Sequence, residues 1–528
     1  MSGLDLGSSG LLGRFVGRLV ALPARLLSYS SEVRSMENQG KYLRQGAMQS
    51  DQSMDEHMQM MERRHLATLW CHLLNALLGF WVISAPFTFG YLNIAPDALD
   101  LPRLAVEREL ADVATRAWMM TWNDIVSGIL IVTFALFSLK RVGWANWANT
   151  VMGLWLISAP LVFWTPSPAS YGNALLVGGL IIAFSVLVPM MPGMSMSGMM
   201  QKGSVPPGWD YNPSTWLQRL PIALLAFIGV LLAHYLAAYQ IGHTNSAWDP
   251  FFGGPSTDPT VKANGTEIII TSPMSRAWPV SDAGVGVLAY MIELTMAVMG
   301  DARRWRTMPW MVAAFGIVVV PLGAVSIFFI IVQPIVIGTW CTLCLIQALA
   351  MLVMMPYALD ELVAMGQFLK DAKRRGKPMW RTFFKGDAME GCRQDDTPEF
   401  TGSLSHMAQQ GLRGVNVPWN LLLLCLLSVW LMFTRLTFGT AGAMANSDHL
   451  MGSLLLTVTV LAMAEVARSL RFLNLPIGLW LVAAPWFLDG GSTASTVGSL
   501  IVGVLVIGLS LPKGPIRHRF GGWNRIIR

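Results

Sequence analysis

The chain has 528 residues, of which 53% are hydrophobic and 13% charged, and its formal net charge is +6. Soluble domains carry about 25% charged residues, so this composition excludes an ordinary soluble protein. Apolar runs of about 20 residues recur, and each is long enough to cross ~30 Å of hydrocarbon. The sequence therefore predicts an all-α polytopic membrane protein with about 12 transmembrane helices.

The positive charge lies in short loops between the apolar runs, where the positive-inside rule puts it. It gives no reason to expect nucleic acid as a partner, and the expected contact of the basic loops is membrane lipid. Residues 1–66 are polar and Met-rich, and we expect them in the cytoplasm. The basic stretch from Leu11 predicts an amphipathic surface segment.

The first predicted membrane module covers residues 67–190. Its spans are expected at Thr68–Phe89, Trp122–Leu139, Ala145–Trp164 and Ala174–Val188. Asp124 is expected to cap the outer end of a span, as is Asp448 later in the chain. A linker rich in Met, Gly and Pro follows at residues 191–212.

The middle domain, residues 213–365, is predicted to hold four further spans. Three are expected at Trp216–Ala238, Ser281–Met299 and Pro309–Val332, and the fourth begins at Cys341 and Cys344. The first two spans are separated by a long loop, Tyr239–Pro279, that is rich in Gly, Pro, Thr and Asn.

The last part of the chain begins with a basic cytoplasmic linker at residues 366–416. A second four-helix module is predicted at residues 417–512, with spans that begin near Trp419, His449, Leu473 and Thr496. Residues 513–528 form a basic tail.

An internal repeat relates the two outer modules. GLWLISAP, Gly153–Pro160, returns as GLWLVAAP, Gly478–Pro485, and GFWVISAPFTFG, Gly79–Gly90, returns more weakly as SVWLMFTRLTFG, Ser428–Gly439. Asp124 and Asp448 precede the first of these motifs at nearly equal distances. We therefore expect two similar four-helix modules around a central four-helix bundle.

The cysteine pair is the sharpest chemical signal in the chain. Positions i and i+3 share a helix face, so Cys341 and Cys344 can close a small disulfide ring and open it again. The free amides of a helix N-terminus favour the reactive thiolate. Cys71, Cys392 and Cys425 stand alone and are expected to be inert.

The loop charges predict the orientation of the chain. With alternating spans, nearly every basic loop falls on one side, which gives a multi-pass protein of the cytoplasmic (inner) membrane with both termini cytoplasmic. Cys341 and Cys344 then face the extracytoplasmic side, where disulfides form.

The outer modules resemble SPW-repeat membrane proteins, although the triplet here is Ser-Ala-Pro or Ala-Ala-Pro with the Trp upstream. The middle domain resembles the vitamin K epoxide reductase family: four spans, a long loop after the first, and GTWCTLCL at the fourth. Ser281 and Gly284 match that family's Ser-x-x-Gly.

The second resemblance implies a quinone-linked thiol oxidoreductase with Cys341 and Cys344 as catalytic residues. It implies a quinone, menaquinone or ubiquinone, as electron acceptor, with Cys344 nearest to it and Cys341 exchanging with the incoming disulfide. The residues expected at the quinone or substrate site are Ser281, Asp282, His234, Glu293 and Trp340. Glu293 lies near mid-membrane, where it is a candidate proton carrier or a partner of His234.

One departure from the family concerns the long loop. Family members usually carry a second cysteine pair there, whereas Tyr239–Pro279 contains no cysteine. Three interpretations follow: an extracytoplasmic, thioredoxin-like thiol protein exchanges directly with Cys341, the segment WDPFFGGPSTDP caps a different ligand, or the domain has changed its function. We favour direct exchange.

Two other functions fit parts of the sequence. Met190–Met200 and Met54–Met61 are Met clusters that could bind Cu(I), which would suit a transporter or copper-handling protein. Their expected cytoplasmic position, and the use of Met as apolar filler, count against copper, and no metal site is predicted. A non-catalytic membrane scaffold is the third alternative.

Overall fold

The computed structural model describes residues 66–91, 108–140, 142–186, 195–252, 263–395, 397 and 399–527. The amphipathic segment from Leu11 and the Met54–Met61 cluster lie outside the described residues, as do parts of Met190–Met200 and of WDPFFGGPSTDP. The chain divides into two units, Met1–Trp70 and Cys71–Arg528. All contacts below lie within the second unit.

Twelve longer helices form the framework, and no β-strand occurs in the described ranges. They are α1 Leu66–Thr88, α2 Val113–Leu139, α3 Gly143–Val162, α4 Pro168–Val186, α5 Trp216–Gln240, α6 Asp282–Val298, α7 Pro309–Val332, α8 Thr342–Arg374, α9 Trp419–Met432, α10 Gly442–Met463, α11 Asn474–Ala483 and α12 Thr493–Ser510. A π-helical turn, Gln333–Ile337, follows α7, and 3₁₀ segments flank α11 at Glu465–Leu473 and Ala484–Trp486.

Short helices complete the described chain. They are Met196–Met200, Gly265–Ile270, Pro273–Arg276, Arg304–Thr307, Met379–Lys385, Leu404–Gly411, Thr434–Thr437 and Asn524–Ile527, with a 3₁₀ turn at Gly521–Trp523. Among the described residues, 8 helices are long and apolar enough to cross a membrane. The polytopic all-α prediction is confirmed, and α3, α6, α9 and α10 lie where the other spans were expected.

Several helices begin earlier than the sequence predicts. α2 begins at Val113 rather than near Trp122, because the Asp112 carboxylate accepts from the Thr115 backbone N–H at 3.0 Å and caps the helix in the polar loop. α10 likewise begins at Gly442 rather than near His449. The prediction that Asp124 and Asp448 cap spans is therefore wrong, because both lie inside helices and are buried.

The repeated modules are built on close glycine crossings. A Cβ on Gly178 would lie 2.7 Å from the Gly153 carbonyl oxygen, and one on Gly503 would lie 2.8 Å from that of Gly478. Such separations leave no room for any side chain, so α3 and α4, and equally α11 and α12, pack backbone against backbone. The repeated Gly of GLWL thus sets the helix spacing in both modules.

The middle helices α5 to α8 pack between these modules. α5 packs most extensively on α6, and α7 on α8. On one side Leu161 of α3 fills the space beside Gly284 of α6, and on the other α10 packs against α7 and α8. The 33 residues of α8 span about 50 Å at 1.5 Å per residue, so its basic end extends well beyond the hydrocarbon layer.

Candidate functional site

Cys341 and Cys344 form a closed disulfide at the N-terminus of α8, with their Cα atoms 5.3 Å apart. Cys341 is the N-cap residue, and its sulfur accepts from the Cys344 backbone N–H at 3.1 Å. The chain enters this turn through Gly338, whose φ of +87° favours glycine. The Gln333 side-chain oxygen accepts from the Cys341 N–H at 3.0 Å and fixes the turn on the end of α7.

A latch of three side chains, Asp249, Thr266 and Thr342, covers Cys341. The Asp249 carboxylate accepts from the N–H and hydroxyl of Thr342 at 3.2 and 2.5 Å, and from those of Thr266 at 3.1 and 2.7 Å. The Thr266 hydroxyl also lies 3.4 Å from the Cys341 sulfur. Cys341 is consequently 0% exposed.

The latch favours the ionised form of Asp249. Burial by itself raises the pKa of this carboxyl group, but the hydrogen bonds from Thr342, Thr266 and Phe252 outweigh burial and lower the pKa below its ordinary value. At neutral pH the carboxylate is therefore charged and holds the loop to the N-terminus of α8.

An apolar cavity of about 240 Å³ lies on the other side of the pair. Its wall includes Cys344 but not Cys341. The Tyr290 hydroxyl donates to the Gln347 backbone carbonyl at 2.9 Å within this wall. Apolar side chains from four helices supply much of the remaining wall: Leu236, Ala289, Val325, Phe329, Ala348 and Met351.

Gln240, the last residue of α5, ties the cavity rim together. Its amide N–H₂ donates to the Ile270 carbonyl at 2.8 Å, to the Ser275 hydroxyl at 2.7 Å and to Asp282, while its oxygen accepts from the Ser281 hydroxyl. One buried amide thus holds the short helix Gly265–Ile270 and the start of α6 in register.

The structure brings only part of the expected quinone-binding set to the cavity. Asp282 lines it, and Ser281 caps α6 beside it by accepting from the Gly284 N–H at 2.9 Å. Trp340 lies next to Cys341 in an aromatic cluster with Phe252, at a ring distance of 5.4 Å. The roles of Ser281, Asp282 and Trp340 stay predictions.

His234 and Glu293 lie away from the cavity wall. The His234 ring stacks on Tyr171 of α4 at 4.4 Å. Glu293 is 0% exposed, and neither of its carboxylate oxygens has a hydrogen-bond partner among the described residues. The two side chains therefore do not form the hydrogen-bonded pair that the sequence left open. A proton-carrying role for Glu293 stays a prediction.

Sequence reasoning missed four residues at this site: Asp249, Thr266, Tyr290 and Gln347. Gln347 could have been predicted from the sequence, because it follows Cys344 by three positions and so shares its helix face. Asp249 was noticed only as part of the segment WDPFFGGPSTDP, and its role was not predicted, since its partner Thr342 lies 93 residues further along the chain.

Comparison with known families agrees with this geometry. The model of the vitamin K epoxide reductase family matches residues 220–359, and the SPW repeat domain matches residues 108–188 and 418–513. The chain carries a vitamin K epoxide reductase family domain between two SPW repeat domains. No curated protein and no solved structure matches the chain.

Both resemblances seen in the sequence are thereby confirmed. The vitamin K epoxide reductase domain, with its CxxC pair, indicates a membrane thiol oxidoreductase. Within the described part of the chain, no group of three or more His, Cys, Asp or Glu side chains is placed to hold a metal ion.

Proposed function

We propose that the protein is a quinone-linked thiol–disulfide oxidoreductase, with Cys341 and Cys344 as its catalytic pair. The observation that carries this proposal is the different surroundings of the two sulfur atoms. Cys344 lies in the wall of an apolar cavity, whereas Cys341 lies behind a polar latch. One face of the pair suits an apolar acceptor and the other a hydrophilic donor.

The residues of the cavity fit a quinone. A cavity of about 150 Å³ holds a benzene ring, so the roughly 240 Å³ here has room for a substituted ring beside Cys344. Apolar walls with a few polar groups are typical of sites for such ligands. The quinone, when bound, supplies an acceptor for two electrons and two protons.

The reaction balances in two steps. A substrate dithiol attacks the disulfide at Cys341, leaves as a disulfide, and transfers two electrons and two protons to Cys341 and Cys344. The resulting dithiol then gives two electrons and two protons to the quinone, which leaves as quinol, and the disulfide closes again.

The thiol donor is expected to be a separate thioredoxin-like protein. Tyr239–Pro279 contains no cysteine that could act as an internal relay. The basic loops support an orientation with both termini in the cytoplasm, so the pair would work on the extracytoplasmic side. The latch then has to open before the donor reaches Cys341.

Trapping tests the proposal directly. In Cys344→Ser the Cys341 thiol can attack the disulfide form of the donor, which releases one donor thiol, and the cysteine that would resolve the adduct is gone, so we expect a mixed disulfide in membranes and loss of quinone reduction. Cys341→Ser should form no mixed disulfide and should also lose quinone reduction. Cys425→Ser is the matched control, because Cys425 is a free cysteine of α9, and its activity should be unchanged. Wild-type membranes without quinone reduction or any adduct would overturn the proposal.

A further inference from the structure

We propose that the second SPW domain is a working part of the redox centre. Its residues Phe433, Arg435 and His449 act as positioning residues for the turn that carries Cys341. This inference rests on the proposed function for its significance, but the contacts that support it stand on their own.

The first contact fills a gap left by proline. In an α-helix the Ile330 carbonyl would accept from the N–H of residue 334, but that residue is Pro334, which has no N–H. His449 of α10 lies in its place, with its Nε2 atom 3.0 Å from the Ile330 oxygen. His449 is buried, and its Nδ1 atom lies 3.0 Å from the Met432 carbonyl of its own domain.

The second contact fills a gap left by the π-helical turn. The Pro334 carbonyl would ordinarily accept from the Gly338 N–H, but that N–H donates to the Gln333 oxygen instead, at 2.9 Å. The Arg435 guanidinium donates to the Pro334 carbonyl at 2.8 Å. Two carbonyls that precede Cys341 and lack their usual helical donors thus lie against the second SPW domain: Arg435 donates to one, and the His449 Nε2 atom lies within hydrogen-bond distance of the other.

The third contact reaches the residue beside Cys341. The Phe433 ring lies 5.5 Å from the Trp340 ring, and the His449 ring lies 6.3 Å from it. Phe433 also stacks on Phe252 at 6.5 Å, in the loop that carries the latch. Such ring pairs stabilise their arrangement beyond the burial of their area, so this cluster restrains Trp340.

The internal repeat separates these contacts from the general architecture of the module. In the first membrane module, residues 67–190, the positions of Phe433 and Arg435 hold Ser84 and Pro86. Ser84 and Pro86 provide neither an aromatic ring nor a guanidinium group at these positions.

The same holds for the third residue. Asp448 aligns with Asp124, so the position of His449 holds Ile125, which has no polar group. The Trp of the repeated motif is shared, as Trp81 and Trp430. The second copy thus departs from the first at the residues that touch the redox turn.

The physical consequence concerns the ease of closing the disulfide. A turn fixed on both sides keeps the two sulfur atoms within reach, which raises their effective concentration. Removal of a positioning side chain should loosen the turn and favour the open dithiol.

The test is a redox titration of the full-length protein in membranes, with dithiothreitol buffers and thiol alkylation of Cys341 and Cys344. Arg435→Met and His449→Ile should each shift the equilibrium about tenfold toward the dithiol, which for two electrons is a potential about 30 mV less negative. Arg435→Lys keeps a donor and should restore most of the wild-type value. We expect kcat to fall as the equilibrium shifts toward the dithiol, with a smaller change in KM for the quinone.

Trp480→Phe is the control. It breaks the Trp480–Ser447 hydrogen bond within the second SPW domain and leaves the redox turn untouched, so its equilibrium should match wild type. Equilibria within twofold of wild type in Arg435→Met and His449→Ile would overturn the inference. If either variant fails to fold, Phe433→Ser decides by the same criterion. Since the titration needs no quinone, it separates this inference from the proposed function, which fails if the wild-type dithiol does not reduce quinone.

Discussion

At the residue scale, Asp249 holds together the latch that lies over Cys341. Its carboxylate accepts two hydrogen bonds each from Thr266 and Thr342, and these join the loop to the first turn of α8. Because its pKa is lowered in the folded protein, this stabilisation is present above the unfolded value of about 4 and is lost as the pH falls through the lower folded value.

Asp249→Asn should open the latch at neutral pH. The amide is uncharged and accepts through one oxygen only, so we expect a phosphine reductant to reduce the Cys341–Cys344 disulfide about tenfold faster at pH 7. In the wild type the same acceleration should appear only below about pH 4. Asp489→Asn, at an exposed loop carboxylate, is the control, and an Asp249→Asn rate equal to the control rate would contradict the latch.

Individual residues were predictable where the chemistry is local. The cysteine pair follows from its spacing. The role of Asp249 could not be predicted, because it depends on a contact between distant segments. The prediction for Asp124 was wrong, because a carboxylate near the end of an apolar run resembles a helix cap, whereas the helix continues beyond it.

At the element scale, the glycine crossings determine how helices pair. α12 offers a comparison within one helix: a Cβ on Gly503 would meet the Gly478 carbonyl at 2.8 Å, whereas one on Gly508 would meet nothing within 4 Å. The internal repeat was visible in the sequence and predicted two similar modules. The register of α12 on α11 could not be predicted, because it depends on the contact between the two backbones.

Gly503→Ala should therefore destabilise the protein, and Gly508→Ala should not. Overpacking costs about 1–3 kcal/mol, partly offset by the ~1 kcal/mol that Ala gains over Gly in a helix. Gly508→Ala receives the gain without the clash. Thermal unfolding in detergent measures both, and equal melting temperatures for the two variants would refute the close crossing.

At the scale of the whole molecule, the chain is three membrane modules in sequence. The order of spans and the matched families followed from the sequence, because apolar runs and the repeat are local patterns. The contact of α10 with α7 and α8 did not follow, since hydropathy does not say which faces of two modules meet.

The orientation across the membrane is a prediction at this scale. In a variant without native cysteines, Ser246→Cys lies in the exposed loop near the latch and Lys373→Cys lies near the basic end of α8. We expect a membrane-impermeant maleimide to label Ser246→Cys in intact cells and Lys373→Cys only after permeabilisation. The reverse pattern would invert the proposed orientation and place the pair on the reducing side.

The separate surroundings of the two sulfur atoms have a consequence for electron leakage. Under the proposed function, a water-soluble reductant would meet the hydrogen-bonded latch at Cys341, and an apolar oxidant in the cavity would meet Cys344. Under the proposed function the two reactants do not meet each other directly, and the electrons pass between them through the Cys341–Cys344 disulfide. In such an arrangement, opening and closing of one disulfide bond would set the rate at which electrons pass from the aqueous side to the lipid side.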